Sequence, residues 1–366
     1  MAEAKFPAVL NDLRRRISEG DLPSGSKMPT WDVLSQHYAI GRPTLMRVMA
    51  TLRHEGFVIS DATRGTMVTP KPPCCSRFGL IFGSSPDRRA FGGWNHFWQA
   101  LRDEATAQSA RDGWDLVVYE GVDHRGSAGL DALLADVDGR RLAGVILTPH
   151  GTLYHIDEHL RGRVPMVQVG GRLDADFLGR EVPAWQLDNE DLYRRSAHLL
   201  HQAGARRVAI LATDATDVSG WDEALLEAGL SGEPWWRFAA GITAQRTTAN
   251  LVRLLCSAAN RPDGLIITDD NLVPGAVAGL LESGVRVGKD LHVAAQCNWP
   301  FPADDVLPIM HIGFDLGHML SEALAYLRSP SMPPDSALAG RRMPAVTANE
   351  FIAHSPRSKK LRRLLS

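Results

Sequence analysis

Apolar residues recur at helical spacing three times within the first 57 positions. Val9, Leu10, Leu13 and Ile17 make one stripe, closed by Gly20. Val33, Leu34 and Tyr38 make a second, with Thr30 in place to cap its N-terminus. Leu45, Val48, Met49 and Leu52 fall at i, i+3, i+4 and i+7 of a third, between Arg42-Pro43 and Gly56. Only Ile40-Gly41 parts the second helix from the third, which predicts a sharp turn between them. After Gly56 the period changes, and FVISDATRGTMV reads as two short strands around a turn at Arg64-Gly65. PKPPCC, residues 70–75, resists both helix and central strand and reads as a semi-rigid spacer.

From residue 77 the texture is different. Apolar runs at 77–83, 114–120, 142–148, 164–170, 206–213, 263–269 and 291–297 alternate with helical stretches such as WNHFWQALRDEATAQSA and NEDLYRRSAHLLHQAG. Repeated βα units predict an α/β fold with doubly wound parallel sheets. The length of this part predicts two lobes rather than one sheet.

Composition narrows the class. With 44% hydrophobic and 22% charged residues the chain reads as a soluble globular protein. No apolar run approaches the ~18 residues of a membrane span. MAEAKFPAVLNDLRRRISEG lacks a basic stretch followed by an apolar one, so no signal peptide is read there. Cys74, Cys75, Cys256 and Cys297 lack paired metal-binding spacing, so neither a structural zinc nor a disulfide framework is expected, and a cytoplasmic location fits. Residues 1–70 carry nine Lys/Arg against seven Asp/Glu, within a net charge of −2, a mild basic bias at the N-terminal end.

Helix, helix, tight turn, helix and hairpin is the order of a winged helix-turn-helix, whose second paired helix enters the DNA major groove. Residues 10–70 resemble the DNA-binding domain of GntR-type bacterial transcription regulators. The likeness rests on Ile17, Gly20, Leu22, Gly25, Met28-Pro29-Thr30, Leu34, Arg42-Pro43-Thr44-Leu45, Leu52, Glu55-Gly56-Phe57-Val58 and Gly65-Thr66-Met67-Val68. Thr30-Trp31-Asp32-Val33 departs from the family's Ser-Glu-Arg-Glu, and Leu45-Met46-Arg47 from its Val-Arg-Glu. The arginine has moved one position, a rotation of about 100° around the helix, which implies an altered base preference. Arg42 and Arg47 suit bidentate pairing with guanine or contact with phosphate; Thr30 and Thr44 stand at helix starts suited to phosphate, and Pro43 between Arg42 and Thr44 is counted with the DNA-binding residues. Met46 suits a thymine methyl, and Arg64, Gly65 and Thr66 suit the backbone or minor groove. The alternative for each arginine is an ordinary solvated side chain.

The strands from residue 77 end in an unusual polar and aromatic set. Trp94, His150, Asp269, Asp270 and Asn298 all lie where an open α/β sheet places its ligand. Aromatic faces with carboxylates and amides suit a sugar or similar polyol. LAGVILTP, LDNEDLYRRSAHLLHQAGARRVAIL, PDGLIITDDNLVPGAVAGLLESGVRVGKDLHV and HIGFDLGHMLSEALAYL resemble the effector domain of LacI-type regulators and the periplasmic sugar-binding proteins. That resemblance implies a two-lobed periplasmic-binding-protein-like domain with a ligand in the interlobe cleft. It also implies that MPAVTANEFIAHSP forms a closing strand of the second lobe. The family's sugar-binding arginine falls on Asp217, before Gly220-Trp221, and that departure leaves the sugar open. Trp94 and Trp221 are also readable as core aromatics, His150 as a loop histidine and Asp315 as a helix cap instead of a ligand contact.

The expected organisation is a winged module at 1–69, a linker at 70–76, an effector domain at 77–355 and a basic tail at 356–366. Lobe 1 is expected at about 77–175 and 305–330, and lobe 2 at about 176–304 and 340–355. The expected function is a homodimeric, ligand-responsive regulator binding operator DNA and a small molecule, without cofactor, metal or catalytic residues. Two alternatives stand beside it. One is a sugar-binding protein with no DNA role. The other is a pyridoxal-phosphate enzyme fused to a winged helix, for which Lys289 is the only lysine between 78 and 358.

Overall fold

The computed structural model describes residues 2–84, 96–112, 114–149, 156–171, 182–213, 218–303, 306–329 and 341–354. The helices are α1 Ala2–Ser18, α2 Trp31–Tyr38, α3 Arg42–His54, α4 Pro73–Ser76, α5 His96–Asp112, α6 Ala128–Asp138 and α7 Asp157–Leu160. They continue as α8 Asn189–Gln202, α9 Trp221–Glu227, α10 Gln245–Ser257, α11 Val273–Ser283, α12 Leu316–Arg328 and α13 Ala348–His354. Among them run strands β1 Val58–Asp61, β2 Gly65–Val68, β3 Arg77–Phe82, β4 Asp115–Glu120, β5 Gly144–Leu147, β6 Met166–Val169 and β7 Ala184–Leu187. The later strands are β8 Val208–Thr213, β9 Arg237–Ala240, β10 Gly264–Ile267, β11 His292–Trp299, β12 Met310–Asp315, β13 Arg341–Met343 and β14 Val346–Thr347.

The three apolar stripes of the N-terminal module converge on one core that includes Leu13, Ile17, Leu34, Leu45, Val48, Leu52 and Phe57. Thr30 caps α2 by accepting from the Val33 amide, and Ala39 ends it in the left-handed region at φ 48°. That residue makes the turn into α3, which starts on Pro43 as its second residue, where a missing N–H costs nothing. β1 and β2 pair antiparallel from Val58↔Val68 to Asp61↔Gly65, and Gly65 takes φ +83° at the turn. The Asp61 carboxylate accepts from the Thr63 hydroxyl and from the Thr63 and Arg64 amides, at 2.7 to 2.8 Å. These bonds, that of the Thr63 hydroxyl first, hold its carboxyl below the usual range.

The proline-rich segment is not a free spacer. Pro72 and Pro73 are buried, α4 forms one turn, and Cys74 packs on the module's core.

Two six-stranded sheets follow, ordered β13-β7-β6-β5-β3-β4 and β14-β12-β11-β10-β8-β9. The pairings β3–β4, β3–β5, β5–β6, β8–β9, β8–β10, β10–β11 and β11–β12 are parallel, and β14 closes the second sheet antiparallel to β12. All residues of β5, β6, β8 and β10 are buried, as strands covered on both faces must be, which is why they read as unbroken apolar runs. The segment 305–330 gives β12 to the second sheet, and the segment 340–355 gives β13 to the first sheet and β14 to the second.

The chain divides into two compact units. One comprises Met1–Ser85, Ala105–Ala184 and Glu322–Ala339; the other comprises Pro86–Glu104, Trp185–Ser321 and Gly340–Ser366.

Candidate DNA interface and effector site

The two faces of α3 differ in burial. Leu45, Val48, Met49 and Leu52 are buried, whereas Arg42, Pro43, Met46 and Arg47 are exposed and Thr44 is half-buried. Met46 is 56% exposed and Val33 on α2 is 54% exposed. Arg47 is engaged locally: its guanidinium carbon lies 4.9 Å from the centre of the Phe6 ring on α1. Arg42 is an exposed cation at the start of the helix, and Met46 an exposed apolar neighbour one turn on. Arg53 donates to the Ser60 hydroxyl at 2.6 Å, tying α3 to the wing. Arg64 and Gly65 are exposed at the wing tip, and the Thr66 carbonyl accepts from the Met28 amide at 3.0 Å. Sequence reading missed Lys27, an exposed cation whose backbone bridges to Met67 and whose side chain lies beside Gly65. Nothing in its local pattern marks it; only the fold of the wing brings it there.

In the second unit, polar groups gather at the carboxyl ends of β10 and β11. Asp269 accepts from the Asn271 amide at 2.9 Å and from the Asn271 side chain at 2.6 Å. Asp270 is 2% exposed; Asn298 donates to its carboxylate at 2.7 Å, and its amide donates to Gln296 at 2.9 Å. Gln296 donates in turn to Asn298 at 3.2 Å. At the start of α5 the His96 amide donates to Asn271 at 2.9 Å, and its ring nitrogen lies 4.0 Å from Asp270. Burial, with the neighbouring Asp269 charge, pushes the Asp270 carboxyl up to about 7, against the opposing hydrogen bond from Asn298. Near neutrality this carboxyl can therefore either donate or accept a hydrogen bond.

The structure thus brings Asp269, Asp270 and Asn298 together. Trp94, His150 and Asp217 lie outside the described residues. Trp221 is 2% exposed, edge-on to Tyr193 with ring centres 6.1 Å apart, so its ring belongs to the core under β8. Asp315 ends β12 and accepts from the His318 amide at 2.9 Å, the geometry of a cap on α12. His96 and Gln296 escaped the sequence reading. Gln296 and Asn298 did carry a signal: they stand two apart in an apolar strand and so share one face.

Lys289 is exposed in the loop before β11. No group of three or more potential metal ligands occurs among the described residues, and no helix among them is long and apolar enough to cross a membrane.

Residues 7–68 match the family of bacterial regulatory proteins, gntR family, and residues 197–329 match the periplasmic binding protein-like domain. No curated protein sequence matches the chain. Among solved structures, a regulatory protein of the LacI family from Chloroflexus aggregans aligns with TM-score 0.53 and 16% identity, over 74% of this chain and 96% of its own. A putative ribose operon repressor from Burkholderia thailandensis aligns with TM-score 0.52 and 18% identity, over 75% and 98%. A LacI family regulator from Lactobacillus casei with bound glucose aligns with TM-score 0.50 and 18% identity, over 74% and 97%. At such identities the likeness is one of fold. A gntR-family winged module thus precedes a periplasmic-binding-protein-like domain whose fold is that of the LacI-family structures.

Proposed function

We propose that this regulator binds operator DNA as a homodimer through Arg42, Thr44, Met46 and the wing, and senses a small polyhydroxylated molecule at the carboxyl ends of β10 and β11. The observation that carries the effector reading is the Asp269–Asp270–Asn271–Gln296–Asn298 cluster. Its carboxylates and amides offer paired donors and acceptors of the kind that vicinal hydroxyls need. That a fold relative from Lactobacillus casei holds glucose supports a sugar as the first class to try. Dimerisation follows from DNA geometry, since two modules reading two half-sites supply the contact area and specificity that one lacks. Such a regulator works in the cytoplasm, where its DNA is.

The test is a thermal-shift screen of mono- and oligosaccharides on the full chain. A ligand at 100 times its Kd stabilises by about 2.7 kcal/mol. Asp269→Asn is expected to abolish that shift while leaving the unliganded melting temperature nearly unchanged. A shift that survives the substitution removes Asp269 from the site, and a screen without any shift removes the polyol. A gel shift with the DNA flanking the chain's own gene tests the other half. Failure to retard it in preference to unrelated DNA counts for a binding protein without a DNA role.

A further inference from the structure

We infer that Glu55 and Arg141 form a latch that makes the winged module a rigid extension of the first lobe, so that the effector domain sets the half-site spacing of the DNA. The inference rests on the DNA-binding reading above and adds to it an architecture for the DNA partner.

All parts of the latch lie within one compact unit. Glu55 caps the C-terminus of α3, the helix that carries the reading face. Arg14 of α1 grips its carboxylate with two guanidinium nitrogens, the Nε bond measuring 2.9 Å. From the lobe, Arg141 donates to the same carboxylate at 3.1 Å and to Asp136 of α6 at 2.5 Å. Asp136 also accepts from the Tyr119 hydroxyl on β4, so a continuous hydrogen-bonded path joins the first sheet to the recognition helix. Two cations and two anions close the set without residual charge. Their side chains are only 10% to 17% exposed, where such pairs are screened little by salt and set geometry firmly.

The backbone around Arg141 is shaped for this contact. Arg140 takes φ 51°, a left-handed conformation that a non-glycine residue adopts at some cost, and reaches Ser18 and Glu19 of the module at 3.4 and 3.5 Å. A Cβ on Gly139 would stand 2.7 Å from an Arg141 guanidinium nitrogen, so the glycine leaves room for that side chain. The connecting segment adds little slack, because Pro72 and Pro73 are buried.

Arg141→Met isolates the latch, since Glu55 keeps Arg14 and Asp136 keeps Tyr119. The experiment selects duplexes from a randomised pool with the full-length wild type and with this variant, and reads half-site sequence and spacing separately. The wild type is expected to enrich one spacing. Arg141→Met is expected to enrich the same half-site at several spacings, a change that a merely structural role would not produce. Two Gly-Ser residues inserted after Pro70 test the same point without touching the ion pairs: spacing should hold in the wild-type background and relax in Arg141→Met. Should Arg141→Met fail to fold, Glu55→Gln, which retains an acceptor for Arg14, is expected to relax the spacing too. A wild type that enriches several spacings, or a folded variant that keeps one, overturns the latch while DNA binding stands. A wild type that enriches no sequence overturns the DNA reading, and the latch with it.

Discussion

Asp270 carries a buried carboxyl raised to about 7, and the consequence for stability has a definite sign. Its neutral form is the one that the folded site favours. The folded state therefore holds a proton that the unfolded chain gives up near its ordinary carboxylate value. The stability linked to that proton is complete below about pH 4 and is lost as pH rises through about 7. Asp270→Asn removes this dependence, so the variant's melting temperature is expected to rise relative to wild type between pH 5 and pH 8. Thermal melts across that range check it, and a constant difference between the two proteins would refute the assignment. The carboxylate itself was legible in the sequence, because a charge ending an apolar strand demands partners. Its partners were legible only in part: Asn298 was marked as a strand-end amide, whereas Gln296 from β11 and His96 from α5, which bonds Asn271 across 175 positions, were not.

At the scale of the element, α3 buries one face in the module's core and leaves open the face proposed to meet DNA. Leu45 is fully buried in the module's core, so Leu45→Ala is expected to cost about 3 kcal/mol in chemical denaturation, by lost transfer energy and the cavity left behind. Met46, largely exposed, should tolerate Ala with no measurable change in stability, yet the variant should bind selected DNA more weakly. Arg42→Ala should reduce the dependence of binding on salt by roughly one counterion, read as the slope of log affinity against log salt. Equal loss of stability in the Leu45 and Met46 variants would show that the faces are misassigned. The helical period alone separated these faces. What it did not reveal is the placing of the Arg47 guanidinium over Phe6 of α1, a contact across 41 positions.

For the molecule as a whole, the DNA-binding reading predicts two chains on one duplex carrying two half-sites, measurable by sedimentation. One chain per duplex at saturation would exclude the dimer. The two sheets explain why so much architecture was readable along the chain. Parallel strands buried on both faces need continuous apolar runs, and seven of these runs stand out from their helical surroundings. Among the strands outside those runs, β7 at Ala184–Leu187, β9 at Arg237–Ala240 and β13 at Arg341–Met343 are short, have partly exposed or charged positions and take their place through pairing with neighbours, while the longer β12 at Met310–Asp315 is mostly buried.

Periodicity, turn residues and strand-end polarity, all local properties, were enough to establish a winged helix-turn-helix followed by a doubly wound α/β domain, and to single out Asp269, Asp270 and Asn298, which the fold brings into one cluster. Each depends on neighbours a few positions apart, where the backbone's own geometry dictates what faces what. Folding alone settled the rest: Trp221 in the core, Arg47 on Phe6, β12 and β13 in different sheets, and Glu55 shared between Arg14 and Arg141. Those outcomes pair side chains far apart along the chain. A competition for burial and for charge partners decides them, and it exists only once the elements have packed.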